Sequence, residues 1–172
     1  MTNKRNKLKT LYLNRHAKSS WDNSSLSDFD RPLNHRGERD APFMGKVLSK
    51  LVKAPQLIYS SPAKRAITTA KQIAGSFNYE STNIITEQSI YEAGVSNLMK
   101  IINNTSEDYD IIMLFGHNPT FTMITNYLSD KYIDNLPTCG FVQIDFRLNS
   151  WREIEGETGK LILYEYPKKH LK

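Results

Sequence analysis

The sequence predicts a three-layer α/β/α sandwich around a mostly parallel central sheet. Short apolar runs alternate along the chain with segments whose apolar residues recur at helical spacing. Residues 110–115 are almost wholly apolar, which is how a central strand covered on both faces reads. Two further strand-like runs, 141–148 and 160–166, are joined by a polar turn around Gly156 and Gly159, so a strand pair closes the sheet.

Taken in order, residues 7–14 form a first strand that ends at Arg15-His16, and residues 17–32 form a loop rich in Ser, Asp and Asn. Asn34 is placed to cap a helix running to about residue 52. Pro42 must either kink that helix or mark its true start. Met44, Val47, Leu48 and Leu51 form one apolar face, and Ala54-Pro55 ends the helix. A short strand over 56–60 follows. Ser61-Pro62 then reads as an N-cap with Pro at the first helical position. Ala63, Ala66, Ile67, Ala70, Ile73 and Ala74 mark the buried face of this second helix, and Gly75 stops it. Residues 83–86 form a short strand, and Ser96 caps a third helix through Leu98, Ile101 and Ile102. After the apolar strand, Asn118 caps and Pro119 opens a helix to about residue 128.

A length of 172 residues suits one domain over 1–172, with residues 1–6 and 168–172 expected as mobile tails. The chain has no run approaching the ~18 apolar residues of a membrane span. Its first residues carry Lys4, Arg5, Lys7 and Lys9 with no apolar block behind them, unlike a signal peptide. A cytoplasmic monomer is expected, and the single Cys139 fits a reducing compartment. The net charge of +5 falls to −2 without Lys4, Arg5, Lys7, Lys9, Lys168, Lys169 and Lys172. The excess thus sits at the two ends, and nucleic acid and membrane partners are not expected.

Ligands of open α/β sheets bind beyond the carboxyl ends of the strands. Three strands end there on chemistry-bearing residues: Arg15-His16, the run from Ser60-Ser61-Pro62 to Arg65, and Gly116-His117. A neutral imidazole can attack an electrophile, and arginine forks suit phosphate oxygens. Two histidines and two arginines on one rim therefore point to phosphoryl chemistry, held by side chains with no metal and no cofactor.

These segments resemble the histidine phosphatase superfamily, with its phosphoglycerate mutase-like fold, and within it the small SixA-type phosphohistidine phosphatases. Residues 13–17 resemble the Arg-His-Gly/Ala signature. Asp30-Arg31-Pro32-Leu33 with Arg36-Gly37 is similar to the "RPL…G" segment, residues 60–70 to the S-P-x-x-R-A-x-x-T-A run, and Gly116-His117-Asn118-Pro119 to the second-histidine turn. The matches keep family order from residue 11 to about 128. The resemblance implies that His16 is the nucleophile forming a phosphohistidine intermediate. It implies that Arg15 and Arg65 bind the phosphoryl oxygens and that His117 stabilises the group's charge. Glu92 falls where related enzymes place a general acid.

Lys18 and Ser19 are expected at the pocket mouth as phosphate-binding residues, and Arg31 to anchor the loop on Asp28 or Asp30. Trp21 and Phe29 pack that loop, while His35 and His170 lie at the surface. Cys139 is a packing residue, because a Cys-x5-Arg phosphatase would need arginine where Asp145 stands. Asp22 replaces the Asn that many sugar-phosphate members carry six residues after the catalytic His. Only 52 positions separate Arg65 from His117, too few for a mutase lid. Both features favour an open, shallow site acting on phosphohistidine in a protein. The alternatives are a small phosphomonoester as substrate, or a non-catalytic phosphate-binding module.

Overall fold

The computed structural model describes residues 7–171. Six strands and four helices run β1 (Lys9–Arg15), α1 (His35–Leu51), β2 (Leu57–Ser60), α2 (Lys64–Gly75), β3 (Ile85–Thr86), α3 (Val95–Asn103), β4 (Ile111–Gly116), α4 (Thr120–Leu128), β5 (Phe141–Phe146) and β6 (Lys160–Glu165). The sheet order is β3-β2-β4-β1-β5-β6. β4 lies between β1 and β2, parallel to both, and β5 and β6 close one side antiparallel. This is the α/β, mostly parallel architecture expected from the sequence.

Side chains alternate across each strand, so one residue of register decides which layer it packs against. Leu11, Leu13, Ile112, Leu114, Val142 and Ile144 face α3 and α4 through Leu98, Ile102, Phe121, Ile124 and Leu128. Tyr12, Met113, Phe115 and Phe141 face α1 and α2 through Ala41, Met44, Leu48, Ala70, Ile73 and Ala74. Burying each large apolar side chain contributes roughly 1.5–3 kcal/mol. Because β1, β2 and β4 are parallel neighbours, their carboxyl ends share one edge, which carries His16, Ser61 and His117.

Several local expectations are corrected. Asn34 caps α1 by accepting from Gly37 N–H, and Pro42 lies inside the helix, not at its start. The buried stripe of α1 is Gly37, Asp40, Ala41, Met44, Gly45 and Leu48, and Leu51 is exposed. Ser61 is not a helix cap: α2 begins at Lys64 and its N-cap Ala63 offers no side-chain hydrogen bond. Gly94, not Ser96, precedes α3. Between β5 and β6 a 3-10 turn, Trp151–Glu153, buries Trp151 completely.

Lys9, read as tail charge, is fully buried and pairs with Asp110 at 2.9 Å and Glu107 at 3.0 Å. At the other end, Pro167–Lys169 is a 3-10 turn. The Lys169 ammonium reaches the Tyr164 carbonyl, and His170 Nε2 lies 2.6 Å from Glu165 Oε2. These contacts tie residues expected as a mobile tail to β6. The tail expected over residues 1–6, and Lys172 with it, lie outside the described residues.

Candidate active site

β1 hands Arg15 to the edge of the sheet and His16 just past it. The chain then turns so that His16 Nδ1 lies 2.7 Å from the carbonyl oxygen of Ala17. A carbonyl only accepts, so the proton sits on Nδ1 and Nε2 carries the lone pair. His16 keeps only 8% of its surface. Burial lowers its pKa to about 3, with His117, Arg65 and Arg15 adding to the fall. The imidazole is therefore neutral at any ordinary pH. The ring of the nucleophile candidate is thus recessed below the surface.

Arg65, in the first turn of α2, donates from Nε to His16 Nε2 over a long 3.4 Å. Its other end is held by Asp28, with Nη1 donating to the backbone oxygen at 2.6 Å and Nη2 to Oδ2 at 3.0 Å. Thr69, one turn along α2, accepts from Ala17 N–H at 3.0 Å and donates to Arg65 O at 2.7 Å. That single hydroxyl ties the loop after His16 to the helix that carries Arg65.

The His16 and His117 rings stand 5.2 Å apart, centroid to centroid. Ser61 Oγ accepts from Ala63 N–H at 3.2 Å and lies 2.8 Å from His117 Nε2. The hydroxyl has both a proton to donate to Nε2, which would hold the His117 proton on Nδ1, and a second lone pair to accept from it. Burial lowers the His117 pKa to about 4, helped by Arg65 and Arg15 and opposed by Asp28. Arg15 Nη1 donates to Leu136 O at 2.9 Å. Arg15 Nε–H is a buried, unspent donor, and His117 Nδ1 is likewise buried with no hydrogen-bond partner among the described residues.

The remaining candidates divide. Arg31 is the loop anchor expected, and its partner is Asp28, with Nη1 to Oδ1 at 2.9 Å. It also donates to Ser20 O, and Trp21 lies flat against it, the ring centroid 3.2 Å from Cζ. Ser19 Oγ accepts from Arg31 Nη2 at 2.5 Å, so this hydroxyl braces the loop; the geometry turns it to Arg31 and not to His16. Lys18 contributes its backbone oxygen to Asn34 N–H. Glu92 is exposed, in a left-handed backbone conformation with φ 56°, and no hydrogen bond or ion pair joins it to the four central residues. Among the described residues no cluster of His, Cys, Asp or Glu could hold a metal ion.

Three contributors escaped the sequence reading. Asp28 gathers Arg65, Arg31 and Tyr91. Tyr91 donates to Asp28 Oδ2 at 2.9 Å and sets its ring edge-on to His117 at 5.7 Å. Ser61 touches His117; the sequence placed it in the strand exit and the Ser-Pro run but read its side chain as a helix cap. Beside Arg15 a cleft of about 520 Å³ is lined by Asn118, Thr122, Tyr132 and Asn135 among others.

Comparison with known proteins agrees with this geometry. The pattern of the histidine phosphatase superfamily, branch 1, matches residues 11–99. An uncharacterized chloroplastic protein of Arabidopsis thaliana is 37% identical over 151 residues, covering 83% of this chain and 69% of that protein. The chain belongs to branch 1 of the histidine phosphatase superfamily. Its fold is close to that of an Agrobacterium tumefaciens protein provisionally assigned as phosphohistidine phosphatase SixA (TM-score 0.77, 24% identity, 92% of this chain and 98% of that one). It is also close to that of protein histidine phosphatase SixA complexed with tungstate (TM-score 0.75, 17% identity, 93% and 98%). A mycobacterial glucosyl-3-phosphoglycerate phosphatase matches less closely (TM-score 0.66, 14% identity, 94% and 100%). No helix among the described residues is long and apolar enough to cross a membrane.

Proposed function

We propose that this protein is a phosphohistidine phosphatase that works through a phosphoenzyme intermediate on His16. The observation that carries the reading is the neutral His16 Nε2, freed by the Nδ1–Ala17 bond and faced by Arg65 Nε. Nε2 attacks phosphorus and forms a P–N bond while the bond to the leaving group breaks. Water then attacks the phosphoryl group and the P–Nε2 electrons return to the ring. Charge building on the equatorial oxygens is met by Arg65 and by the unpartnered Arg15 Nε and His117 Nδ1. A departing imidazole can itself take up the proton, so little acid assistance is needed.

The recess of His16 favours a second reading, a small phosphomonoester that reaches further in than a protein side chain. An ester oxygen leaves only with a proton, and Glu92 is then the proposed donor.

The test incubates the protein with a labelled phosphomonoester and asks for acid-labile, alkali-stable label. Wild type is expected to hold it and His16→Ala to lose it; label on the variant removes His16 as nucleophile. Chelators are expected to leave turnover unchanged. Turnover of a phosphohistidine protein is then compared with that of sugar and nucleotide phosphates, and much faster metabolite turnover selects the second reading.

A further inference from the structure

We propose that Asp28 is the positioning residue of this site: it clamps the outer end of the Arg65 guanidinium so that the remaining edge is presented to His16. The inference rests on the phosphoryl-transfer reading above.

Arg65 spends one N–H of Nη1 on the Asp28 backbone oxygen and one of Nη2 on its carboxylate. Those two bonds occupy the end of the guanidinium fork. The Nε–H and the second Nη2–H share the adjoining edge, and Nε is the atom 3.4 Å from His16 Nε2. Two parallel N–H groups on one edge match two oxygens of a tetrahedral phosphoryl group. Asp28 thus keeps this edge turned to His16, where the long Nε–H bond to Nε2 can be exchanged for one to a phosphoryl oxygen.

A single ion pair with a half-exposed carboxylate would contribute little. Asp28 is instead the meeting point of a network. Its Oδ1 takes Arg31 Nη1, and its Oδ2 takes both Arg65 Nη2 and the Tyr91 hydroxyl. Phe29 stacks edge-on against Tyr91 at 5.2 Å, and its carbonyl accepts from Lys64 N–H at 3.0 Å. Residues 27–31 therefore bridge the start of α2 and Tyr91, whose ring lies against His117. Partial desolvation opposes ionisation of Asp28, but the bonds from Tyr91, Arg65 and Arg31 outweigh it and bring the pKa down to about 2. The carboxylate is an anion throughout the working range. Around His117 stand Arg65 and Arg15, which disfavour its protonation, and Asp28, which favours it.

The experiment compares Asp28→Asn, Asp28→Glu and Tyr91→Phe with wild type. It measures kcat and KM on a small phosphoramidate and on an aryl phosphate, orthovanadate affinity, and the acid limb of the pH–rate profile. Asp28→Asn is expected to lower kcat and vanadate affinity about 10- to 100-fold with KM little changed. Its acid limb moves to lower pH, because His117 loses its one favourable charge. Asp28→Glu returns the limb towards the wild-type position. Tyr91→Phe, which removes one bond from the same carboxylate, gives a several-fold loss of kcat and keeps the inference testable if Asp28→Asn does not fold. Wild-type kcat, vanadate affinity and acid limb in Asp28→Asn overturn it. So does a variant that melts earlier but keeps those three values. Failure of wild type to turn over either substrate, with vanadate affinity still dependent on Asp28, sinks the phosphatase reading and leaves the positioning role standing.

Discussion

Ser61 Oγ lies 2.8 Å from His117 Nε2, and the hydroxyl is fully enclosed at the junction of β2 and α2. When the hydroxyl donates to Nε2, the His117 proton is held on Nδ1, the unpartnered nitrogen, which can then donate to a phosphoryl oxygen. Ser61→Ala leaves Nε2 without its donor and lets the ring change tautomer. We expect kcat to fall about tenfold or more, the worth of one lost hydrogen bond to charge in the transition state. Steady-state kinetics with circular dichroism as a fold check measures it; unchanged kcat dissociates Ser61 from catalysis.

Acid should destabilise this protein through its two buried imidazoles. The unfolded chain titrates its histidines near ~6.5, whereas folded His16 and His117 titrate at about 3 and about 4. Between those values the unfolded state binds more protons, so stability falls as pH falls; above the unfolded pKa neither histidine contributes a slope. Urea titrations between pH 7 and pH 4 should show His16 adding up to ~1.4 kcal/mol of loss per pH unit. His16→Gln should remove that share of the slope. An equal slope in the variant would show that His16 is protonated in the fold.

Gly37 sits where a Cβ would come within 2.2 Å of the Lys18 carbonyl oxygen. The backbone of α1 needs that approach to hold the loop after His16, where Asn34 N–H also meets Lys18 O at 2.9 Å. Gly37→Ala must push one of the two backbones aside. A destabilisation of about 1–3 kcal/mol by chemical denaturation is expected, together with reduced turnover. Wild-type stability would mean the loop gives way freely.

Thr69→Val keeps shape and removes one hydroxyl. It deprives Ala17 N–H of its acceptor and Arg65 O of its donor, in a fully enclosed position. The expected cost is about 1–3 kcal/mol, since the amide is left buried and unpaired. Thermal melts with kinetics report whether the loss reaches His16; a neutral outcome would show that water replaces the hydroxyl.

Glu92→Gln separates the two substrate readings. Turnover of an aryl phosphate with a good leaving group and of a phosphoramidate should be little changed, while an alkyl phosphate, whose oxygen needs the proton, should slow by about 100-fold or more. Equal effects on all three would remove Glu92 as proton donor.

The layers, the central place of β4 and the meeting of His16, Arg65 and His117 were legible because they depend on local pattern: apolar period, strand exits and short motifs. What stayed hidden depends on pairings distant in the chain. Tyr91 meets Asp28 across 63 residues, and neither carries a periodic signal. Lys9 read as one more terminal cation because its partners, Glu107 and Asp110, come from the approach to β4. Ser61 has the residue chemistry of a helix cap, and only the approach of β4 gives it His117 instead. The recess of His16 was missed for the same reason, since Arg65 and His117, which crowd it, come from the start of α2 and the exit of β4.

The stacking of Trp21 on Arg31 gives the molecule a built-in optical gauge. Of its two indoles, Trp151 is wholly enclosed while Trp21 keeps 73% of its surface and leans on the guanidinium that grips Asp28. The enclosed ring is shielded from solvent, and the exposed one is expected to change its emission when the guanidinium at its face moves. Any molecule that shifts that grip therefore announces itself in the intrinsic fluorescence, with no label attached.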